Sequence, residues 1–382
     1  MHLLSLAKMP DMRKVRMVKG PARVFVKGPC HVLGRNVSWQ TIKVRAGKAL
    51  PFEPNSKCML QARLGPDARV WWADPRQAGT WMWRGLAQQV SALVEGKKST
   101  TFMVIGDTDT GKSTLAMYLA NTAISRGFVP SIIDGDIGQG DLAPPTAIGA
   151  AILTTQLVDL RDVNSNNHNT NNVFEFVGSI SPTGFESIVA KKLRSILGKT
   201  SSQANIRIVN TDGYVRNGGV QYKALVAEEL QPDAIIILGD DIDLFDWQHK
   251  LASWHILHAR PSSQAYKSRL ERINRRLDQF FRYVGNGLSV AELSQLKFDY
   301  TNNLYSPSEL FYPPIKQLEP ENMKGMFVGL GSDGNIAGFG VIIDVNLSDG
   351  TIHTQTNINS FNTIYLSNVR ISSDRIMEIR IT

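Results

Sequence analysis

Residues 106–113 read GDTDTGKS and fit the pattern G-x-x-x-x-G-K-[ST] of a phosphate-binding loop. The run TFMVI at Thr101–Ile105 comes directly before them and is typical of a buried strand, whereas apolar residues recur at helical spacing from Thr114 to Ser125. A strand, a glycine-rich turn and a helix in this order are the context that the pattern requires. We therefore predict a nucleoside triphosphate site.

Every residue type in this loop has a physical role in holding phosphates. The two glycines let the backbone curl so that its amides point inward, and the start of the following helix adds positive potential. Lys112 reaches the β- and γ-phosphates, and the Ser113 hydroxyl is a ligand for Mg²⁺. The predicted nucleotide-binding residues are Gly106, Asp107, Thr108, Asp109, Thr110, Gly111, Lys112, Ser113 and Thr114.

Four further apolar runs follow the loop and alternate with helical patterns. These runs are FVPSIID, VFEFVG, IRIVNT and AIIILG. Such alternation predicts a mostly parallel sheet with helices on both faces. Short β-type runs between Gly20 and Pro54, and hairpin-like runs after Leu288, predict a β domain on each side. We expect an N-terminal β domain with a linker helix at 1–98, an α/β P-loop domain at 99–287 and a C-terminal β domain at 288–382.

Composition excludes several protein classes. The chain has 382 residues, of which 42% are apolar and 20% charged, values typical of a globular protein and not of a disordered or fibrous one. The net charge of +8 weakly favours a polyanionic partner such as nucleic acid. Two cysteines and only strand-sized apolar runs predict a soluble intracellular, cytoplasmic protein without a membrane span. Packing between domains, or else a contact to the nucleotide base, is expected for Trp71, Trp72, Trp81 and Trp83.

Two carboxylates follow the strand after the phosphate loop. Alternation along an extended chain points Asp134 and Asp136 to the same side, at the carboxyl edge of the sheet near the loop. One of them can hold magnesium, and the other can accept the proton of an attacking hydroxyl. A polar turn after a strand is the alternative interpretation.

A basic helix is predicted near the end of the P-loop domain. Residues 260–282 contain seven Lys or Arg against two acids. At helical spacing Arg269, Arg272 and Arg276 share one face, whereas Leu270, Ile273, Leu277, Phe280 and Val284 share another, which predicts that the apolar face packs and the basic face points outward. We interpret this helix as a lid whose guanidiniums stabilise a transferring phosphoryl group; a solvated charged face is the alternative.

The motifs as a set resemble those of the polynucleotide 5′-hydroxyl kinase family, which includes the RNA kinase subunits of the pre-mRNA 3′-end and tRNA-splicing machineries and the kinases of ribosomal-RNA processing. The resemblance covers about Ser99 to Gly285 and rests on GDTDTGKST, DGDIGQGDLAPPTAIG, FVGSISP, NTDGYV and RYVG, in that order. It implies a P-loop kinase core with a mostly parallel sheet, flanked by N-terminal and C-terminal β domains. It also implies transfer of the ATP γ-phosphate, with Mg²⁺, to the 5′-hydroxyl of RNA or DNA, and RNA-processing protein partners.

The resemblance assigns roles to individual residues. Lys112 acts on the phosphates, Asp136 is the general base, Gln139 orients nucleotide or metal water, and Asp134 is a metal ligand beside Ser113. Thr211, Gly213 and Tyr214 match a clasp in which an aromatic ring stacks on the first base, with Tyr214 where the family more often has Trp. Arg272 and Arg276 fit the spacing of the lid arginines; an alignment shifted by one nominates Arg275 instead.

Two other functions stay open at this point. One is a subunit that binds ATP tightly and serves as a scaffold in an RNA-processing complex with little turnover. The other is a GTPase or motor ATPase, although no Asn-Lys-x-Asp guanine signature is visible. The choice between ATP and other nucleoside triphosphates, and between RNA and DNA, is likewise open.

Overall fold

The chain places mostly antiparallel β regions on both sides of a mostly parallel α/β sheet. The computed structural model describes residues 3–6, 15–55, 57–76, 78, 80–163, 172–239, 247, 249–262, 267–311, 318–372 and 375–379. Within these ranges no helix has the length and apolar character needed to cross a membrane.

The N-terminal region forms two antiparallel sheets in the described part of the chain. Its strands are β1 (Leu3–Leu6), β2 (Val15–Lys19), β3 (Ala22–Lys27), β4 (Cys30–Val32), β5 (Arg35–Asn36), β6 (Thr41–Val44), β7 (Ala49–Pro54), β8 (Met59–Leu64) and β9 (Arg69–Ala73). The strand orders are β1-β8-β3-β6 and β5-β4-β7-β2-β9. Buried and exposed side chains alternate along β6, as expected for a sheet with one face on a core. Helix α1 (Arg84–Val94) leads from here to the central sheet.

The central sheet carries the phosphate loop at the end of an inner strand. Its strands are β10 (Thr100–Gly106), β11 (Pro130–Gly135), β12 (Ala147–Ile152), β13 (Val173–Phe176), β14 (Ile206–Thr211), β15 (Ala234–Leu238) and β16 (Ile256–Ala259). Their order is β13-β12-β11-β14-β10-β15-β16, and all neighbours from β11 to β16 are parallel, whereas β12 and β13 are antiparallel additions. The carboxyl ends of β10, β11 and β14 therefore meet at one edge.

Helices cover both faces of this sheet, which explains its continuous apolar strands. They are α2 (Lys112–Ser125), α3 (Glu186–Thr200) and α4 (Gly219–Leu230). Phe102 of β10 belongs to the same apolar core as α1 and α2, whereas its neighbour Met103 belongs to the core with α3 and α4. All seven residues of β10 are buried as a result. The predicted α/β fold class, a P-loop core with a mostly parallel sheet and β-rich flanks, is confirmed.

Two strands of the central sheet were not among the predicted apolar runs. β12 has the sequence AIGAAI, in which glycine and alanine give little β propensity, and β16 has only four residues. The VFEFVG run forms strand β13, which pairs antiparallel with β12 at the edge of the sheet. It is therefore not part of the parallel core.

The C-terminal region adds a further sheet and a helix that precedes it. Helices α5 (Arg269–Tyr283), α6 (Pro307–Phe311) and α7 (Pro320–Met323) occur with strands β17 (Leu288–Glu292), β18 (Lys297–Tyr300), β19 (Asn303–Tyr305), β20 (Met326–Ser332), β21 (Asn335–Asn346), β22 (Thr351–Gln355), β23 (Thr363–Ile371) and β24 (Ile376–Glu378). The strand order is β17-β22-β21-β20-β23-β18-β19, with β24 on β23. Phe176 of β13 packs on Phe327 of β20, so this sheet shares a core with the central one. The proposed domain division at 98/99 and 287/288 stays a prediction.

Candidate active site

The phosphate loop connects β10 to α2 by a turn that glycine makes possible. Gly111 caps α2 with φ of 97°, in the left-handed region that residues with a side chain seldom adopt. Helix α2 begins at the next residue, so its unpaired amides point into the loop. The loop thus has the backbone geometry of an anion site.

Lys112 lies inside this loop and not in solvent. Its ammonium donates to the carbonyl oxygens of Gly106 (2.9 Å) and Asp107 (2.7 Å). Burial lowers the pKa of Lys112 to about 8, although the nearby carboxylate of Asp136 opposes that shift. A lysine buried in this way is poised to gain a strong interaction when phosphates enter.

Asp134 is a buried residue at the end of β11 that contacts the phosphate loop through an asparagine. The Asn210 amide donates to Asp134 Oδ1 at 2.9 Å and to Ser113 Oγ at 3.1 Å. The backbone amide of Asp141 donates to Asp134 Oδ2 at 2.6 Å. Burial raises the pKa of Asp134 to about 6, with a further contribution from the charge of Asp141. Asn210 was not predicted as a site residue, although it lies in the quoted motif NTDGYV.

Asp136 differs from Asp134 because it lines the cleft in front of the phosphate loop. Its Oδ1 accepts hydrogen bonds from the backbone amides of Gly138 (3.1 Å) and Gln139 (2.8 Å), which fix the carboxylate within its turn. The Gln139 side chain donates to the carbonyl of Arg272 at 3.3 Å. The structure thus brings Asp136, Gln139 and Lys112 to one cleft.

Basic residues from the lid region form the opposite wall. Asp109 of the phosphate loop accepts hydrogen bonds from Arg272 Nη2 (2.7 Å) and from the backbone amide of Lys267 (3.0 Å). Burial lowers the pKa of Lys267 to about 8, and the positive charge of Arg275 lowers it further. Arg276 lies at the side of the cleft, where its Nε donates to the carbonyl of Gly138 at 3.1 Å.

Helix α5 follows the predicted division into two faces only in part. As predicted, Phe280 and Val284 are buried and Arg269 is exposed. Against the prediction, Leu270 is 65% exposed and Ile273 is 38% exposed, Arg272 and Arg276 are half-buried, and the polar residues Arg275 and Gln279 are buried. The physical reason is that buried acids and carbonyls beneath α5 satisfy its polar face.

The predicted clasp residues have different roles in the structure. Thr211 Oγ1 donates to the Val104 carbonyl at 2.9 Å, inside the sheet. Gly213 lies against the phosphate loop so closely that a Cβ there would be 2.4 Å from Thr108 Oγ1. Tyr214 is half-buried and outside the lining of the cleft, with its hydroxyl donating to the Asn217 carbonyl at 2.7 Å.

Sequence reasoning missed several residues around this cleft. Lys223 of α4 is buried and donates to Asp212 at 2.7 Å. Lys48 of the N-terminal region lines the cleft. Trp83, one of the four tryptophans named from the sequence, also lines it, and its indole donates to the Arg260 carbonyl at 3.1 Å. Motif spacing gives no signal for Lys48, because its partners Asp141 and Asp159 are 93 and 111 residues away. The partner of Lys223 is only 11 residues away, but no motif connects the two residues.

The P-loop domain matches a known family. Residues 106–286 match the model of the "mRNA cleavage and polyadenylation factor CLP1 P-loop". A polyribonucleotide 5′-hydroxyl-kinase of Pyrococcus horikoshii is 33% identical over 245 residues, which cover 63% of this chain and 63% of that protein. A polyribonucleotide 5′-hydroxyl-kinase of Pyrococcus furiosus is 40% identical over 144 residues, 37% of this chain and 38% of that protein. The matched region thus spans less than two thirds of the length of either relative.

A solved structure shows the same fold over nearly the whole chain. A chain of the wild-type Clp1p–Pcf11p complex aligns with a TM-score of 0.72 and covers 97% of this chain and 97% of its own length, at 13% sequence identity. At this identity the likeness shows the fold alone. The central sheet and both β-rich flanks thus have a counterpart in a known architecture.

Proposed function

Because residues 106–286 match the CLP1 P-loop family model, we propose that this chain is an ATP-dependent polynucleotide 5′-hydroxyl kinase whose substrate is RNA, and also DNA. One observation carries the proposal: Asp136 and Lys112 line one cleft, with the phosphate loop on one side and the lid arginine Arg272 on the other. A general base opposite a phosphate-binding lysine is what hydroxyl phosphorylation requires.

The reaction needs a proton acceptor and compensation of negative charge. In our proposal the Asp136 carboxylate accepts the proton of the 5′-hydroxyl, the hydroxyl oxygen forms a bond to the γ-phosphorus, and the bond from that phosphorus to the β-phosphate oxygen breaks, which releases ADP. Lys112, Arg272 and Arg276 stabilise the charge on the transferring group. Phosphoryl transfer needs little covalent chemistry from the protein, so the protein acts mainly by positioning the reacting groups and stabilising their charge.

The residues at the edge of the sheet fit Mg²⁺. Ser113 and Asp134 offer a hydroxyl and a carboxylate oxygen, the hard ligands that this ion prefers. Asn210 Oδ1 is buried without a hydrogen-bond partner, which leaves an oxygen acceptor beside them. In the described residues no three His, Cys, Asp or Glu side chains form a metal site. When bound, the ion neutralises phosphate charge.

The nucleic-acid side of the proposal rests on the clasp. In our proposal Tyr214 is the stacking residue for the first base, because it directly follows Gly213, which lines the cleft, and stacking is tolerant of base identity. Its ring packs beside Tyr222 and is not part of the cleft lining, so stacking requires the ring to turn toward the cleft. RNA-processing protein partners and a cytoplasmic location remain expectations.

The decisive experiment is transfer of label from γ-labelled ATP to matched 5′-hydroxyl RNA and DNA oligonucleotides. We expect labelling by the wild-type chain, loss of it in Lys112→Ala and Asp136→Asn, and none with oligonucleotides that already carry a 5′-phosphate. Asp278→Asn is the matched control, because Asp278 lies on the exposed side of α5. Tightly bound ATP without any transfer would favour the scaffold function, which the named activity of the relatives disfavours. Wild-type transfer by Asp136→Asn would contradict the assigned base.

A further inference from the structure

We propose that Asp141 is a positioning residue for phosphoryl transfer, because its carboxylate fixes helix α5 through Arg275 and thereby places Arg272 and Arg276 around the cleft. This inference rests on the proposed function and concerns a residue to which no role was assigned above. It also assigns Arg275 to positioning instead of to direct contact with phosphate.

Asp141 joins three parts of the chain at one buried carboxylate. Its Oδ1 accepts from Arg275 Nη2 at 2.8 Å and from Arg161 Nε at 2.9 Å, and its Oδ2 accepts from Lys48 Nζ at 2.8 Å. Burial alone would raise the pKa of Asp141, but the three cations hold it well below its usual range. The carboxylate therefore stays ionised, and the three ion pairs that depend on its charge are kept.

Helix α5 also contacts the segment 136–146, between β11 and β12, next to this carboxylate. Gln279 donates to the Gly140 carbonyl at 3.0 Å, and the Tyr283 hydroxyl donates to the Leu142 carbonyl at 2.6 Å. These neutral contacts lie toward the end of the helix. Arg275 adds a buried ion pair in the middle of the helix, and the Arg272–Asp109 pair lies nearer its start.

The position of Arg275 in the helix explains its influence on the lid arginines. Arg272 precedes it by three residues and Arg276 follows it by one, so all three point to the same half of the helix surface. Arg272 reaches Asp109 of the phosphate loop and Arg276 reaches Gly138 beside the base. A rotation of α5 of even one residue would remove both from these places.

A purely structural role for Asp141 is the competing explanation. A comparison of Arg161 with Arg275 distinguishes this role from the positioning role. Arg161 contacts the same carboxylate oxygen and is as buried as Arg275. It lies, however, in the short 3₁₀ turn Leu160–Asp162 and not on α5. Loss of either arginine weakens the same buried cluster, whereas only loss of Arg275 releases the lid helix.

The experiment compares Arg275→Met with Arg161→Met. Asp141→Asn leaves three buried cations undercompensated and is at risk of misfolding, whereas either methionine variant keeps the carboxylate paired with two cations. For Arg275→Met we expect kcat to fall about 100-fold with KM for ATP changed less than about 3-fold. The reason is that Arg272 and Arg276 would be misplaced by roughly 1 Å relative to the cleft. Arg161→Met should keep kcat within about 3-fold, and Arg275→Lys should recover about 10-fold over Arg275→Met.

A second readout does not depend on activity. Amide hydrogen exchange across Arg269–Tyr283 should be faster in Arg275→Met than in the wild type, and unchanged there in Arg161→Met. Equal kcat losses in the two methionine variants, or wild-type kcat in Arg275→Met, would overturn the inference. If the wild-type chain itself transfers no phosphate, the proposed function fails; equal exchange in the two variants would then still overturn the positioning role of Arg275 and Asp141.

Discussion

Lys223 Nζ lies 2.7 Å from Asp212 Oδ1, and neither side chain reaches solvent. The same carboxylate accepts hydrogen bonds from the Tyr222 hydroxyl at 2.9 Å and from the Tyr214 amide at 2.8 Å. This ion pair therefore fixes the loop after β14 to helix α4. Gly213 of the same loop lies against the phosphate loop.

Replacement of Lys223 should destabilise the fold strongly. Lys223→Met leaves the Asp212 carboxylate buried without its cation, which costs about 3–5 kcal/mol in the free energy of unfolding. Urea unfolding measures this. The double variant Lys223→Met with Asp212→Asn removes the unpaired charge and should recover a large part of the loss; no recovery would show that the lysine acts through packing alone.

The two lid arginines should differ in their effect on kcat. Arg272 lines the cleft and contacts the phosphate loop, so we expect Arg272→Ala to lower kcat about 10³-fold, as for other arginines that stabilise a transferring phosphoryl group. Arg276 contacts only the edge of the cleft through Gly138, and Arg276→Ala should cost about 10-fold. Single-turnover kinetics measure both. A larger effect at Arg276 would reverse the assignment.

Binding of ATP should weaken as the pH rises through 8. Lys112 and Lys267 each have a pKa lowered to about 8, mainly by burial, so both are charged at pH 7 and mostly neutral at pH 9. Loss of either positive charge reduces the attraction for phosphate, and Kd for ATP should rise at least about 10-fold over this range.

Calorimetry across that pH range gives the measurement and its control. Lys267→Arg keeps a charge at this position at all these pH values, so its Kd should rise less steeply than that of the wild type. A Kd that does not change between pH 7 and 9 would show that neither lysine titrates there.

Addition of one methyl group at Gly213 should disturb the phosphate loop. A Cβ there would lie 2.4 Å from Thr108 Oγ1 and 2.9 Å from the Thr108 backbone, closer than side chains pack. We expect Gly213→Ala to weaken ATP binding about 10-fold or more. Gly198→Ala is the control, since a Cβ on Gly198 in α3 meets open space and favours the helix. Equal affinities in both variants would contradict the close approach.

The parts of the site that were predictable depend on short-range patterns. The phosphate loop, β10 and α2 follow one another within Thr100–Ser125, so their residue types and spacing are enough to place them. The position of Asp136 at the same edge follows from the rule that parallel strands present their carboxyl ends together. The family resemblance was confirmed by the match over 106–286.

What could not be predicted depends on long-range contacts. Asp141 and Lys48 are 93 residues apart and Asp141 and Arg275 are 134 apart, and no local pattern reports such pairs. The packing of α5 was predicted only in part for the same reason: periodicity defines two faces of a helix, but which side chains lie inward depends on what the rest of the chain places beneath them. Here the Asp141 carboxylate and the Gly140 carbonyl lie beneath the helix, so Arg275 and Gln279 are buried.

The packing of Phe176 on Phe327 has a consequence for any attempt to shorten this protein. β13 is the outermost strand of the central sheet, and aromatic residues of the following sheet, including Phe327 and Tyr365, cover its side chains. A truncated fragment that stops at residue 287 would expose this apolar sheet edge to water and to other copies of itself. Residues 288–382 therefore cover an aggregation-prone edge of the P-loop region, and an expression design should include both.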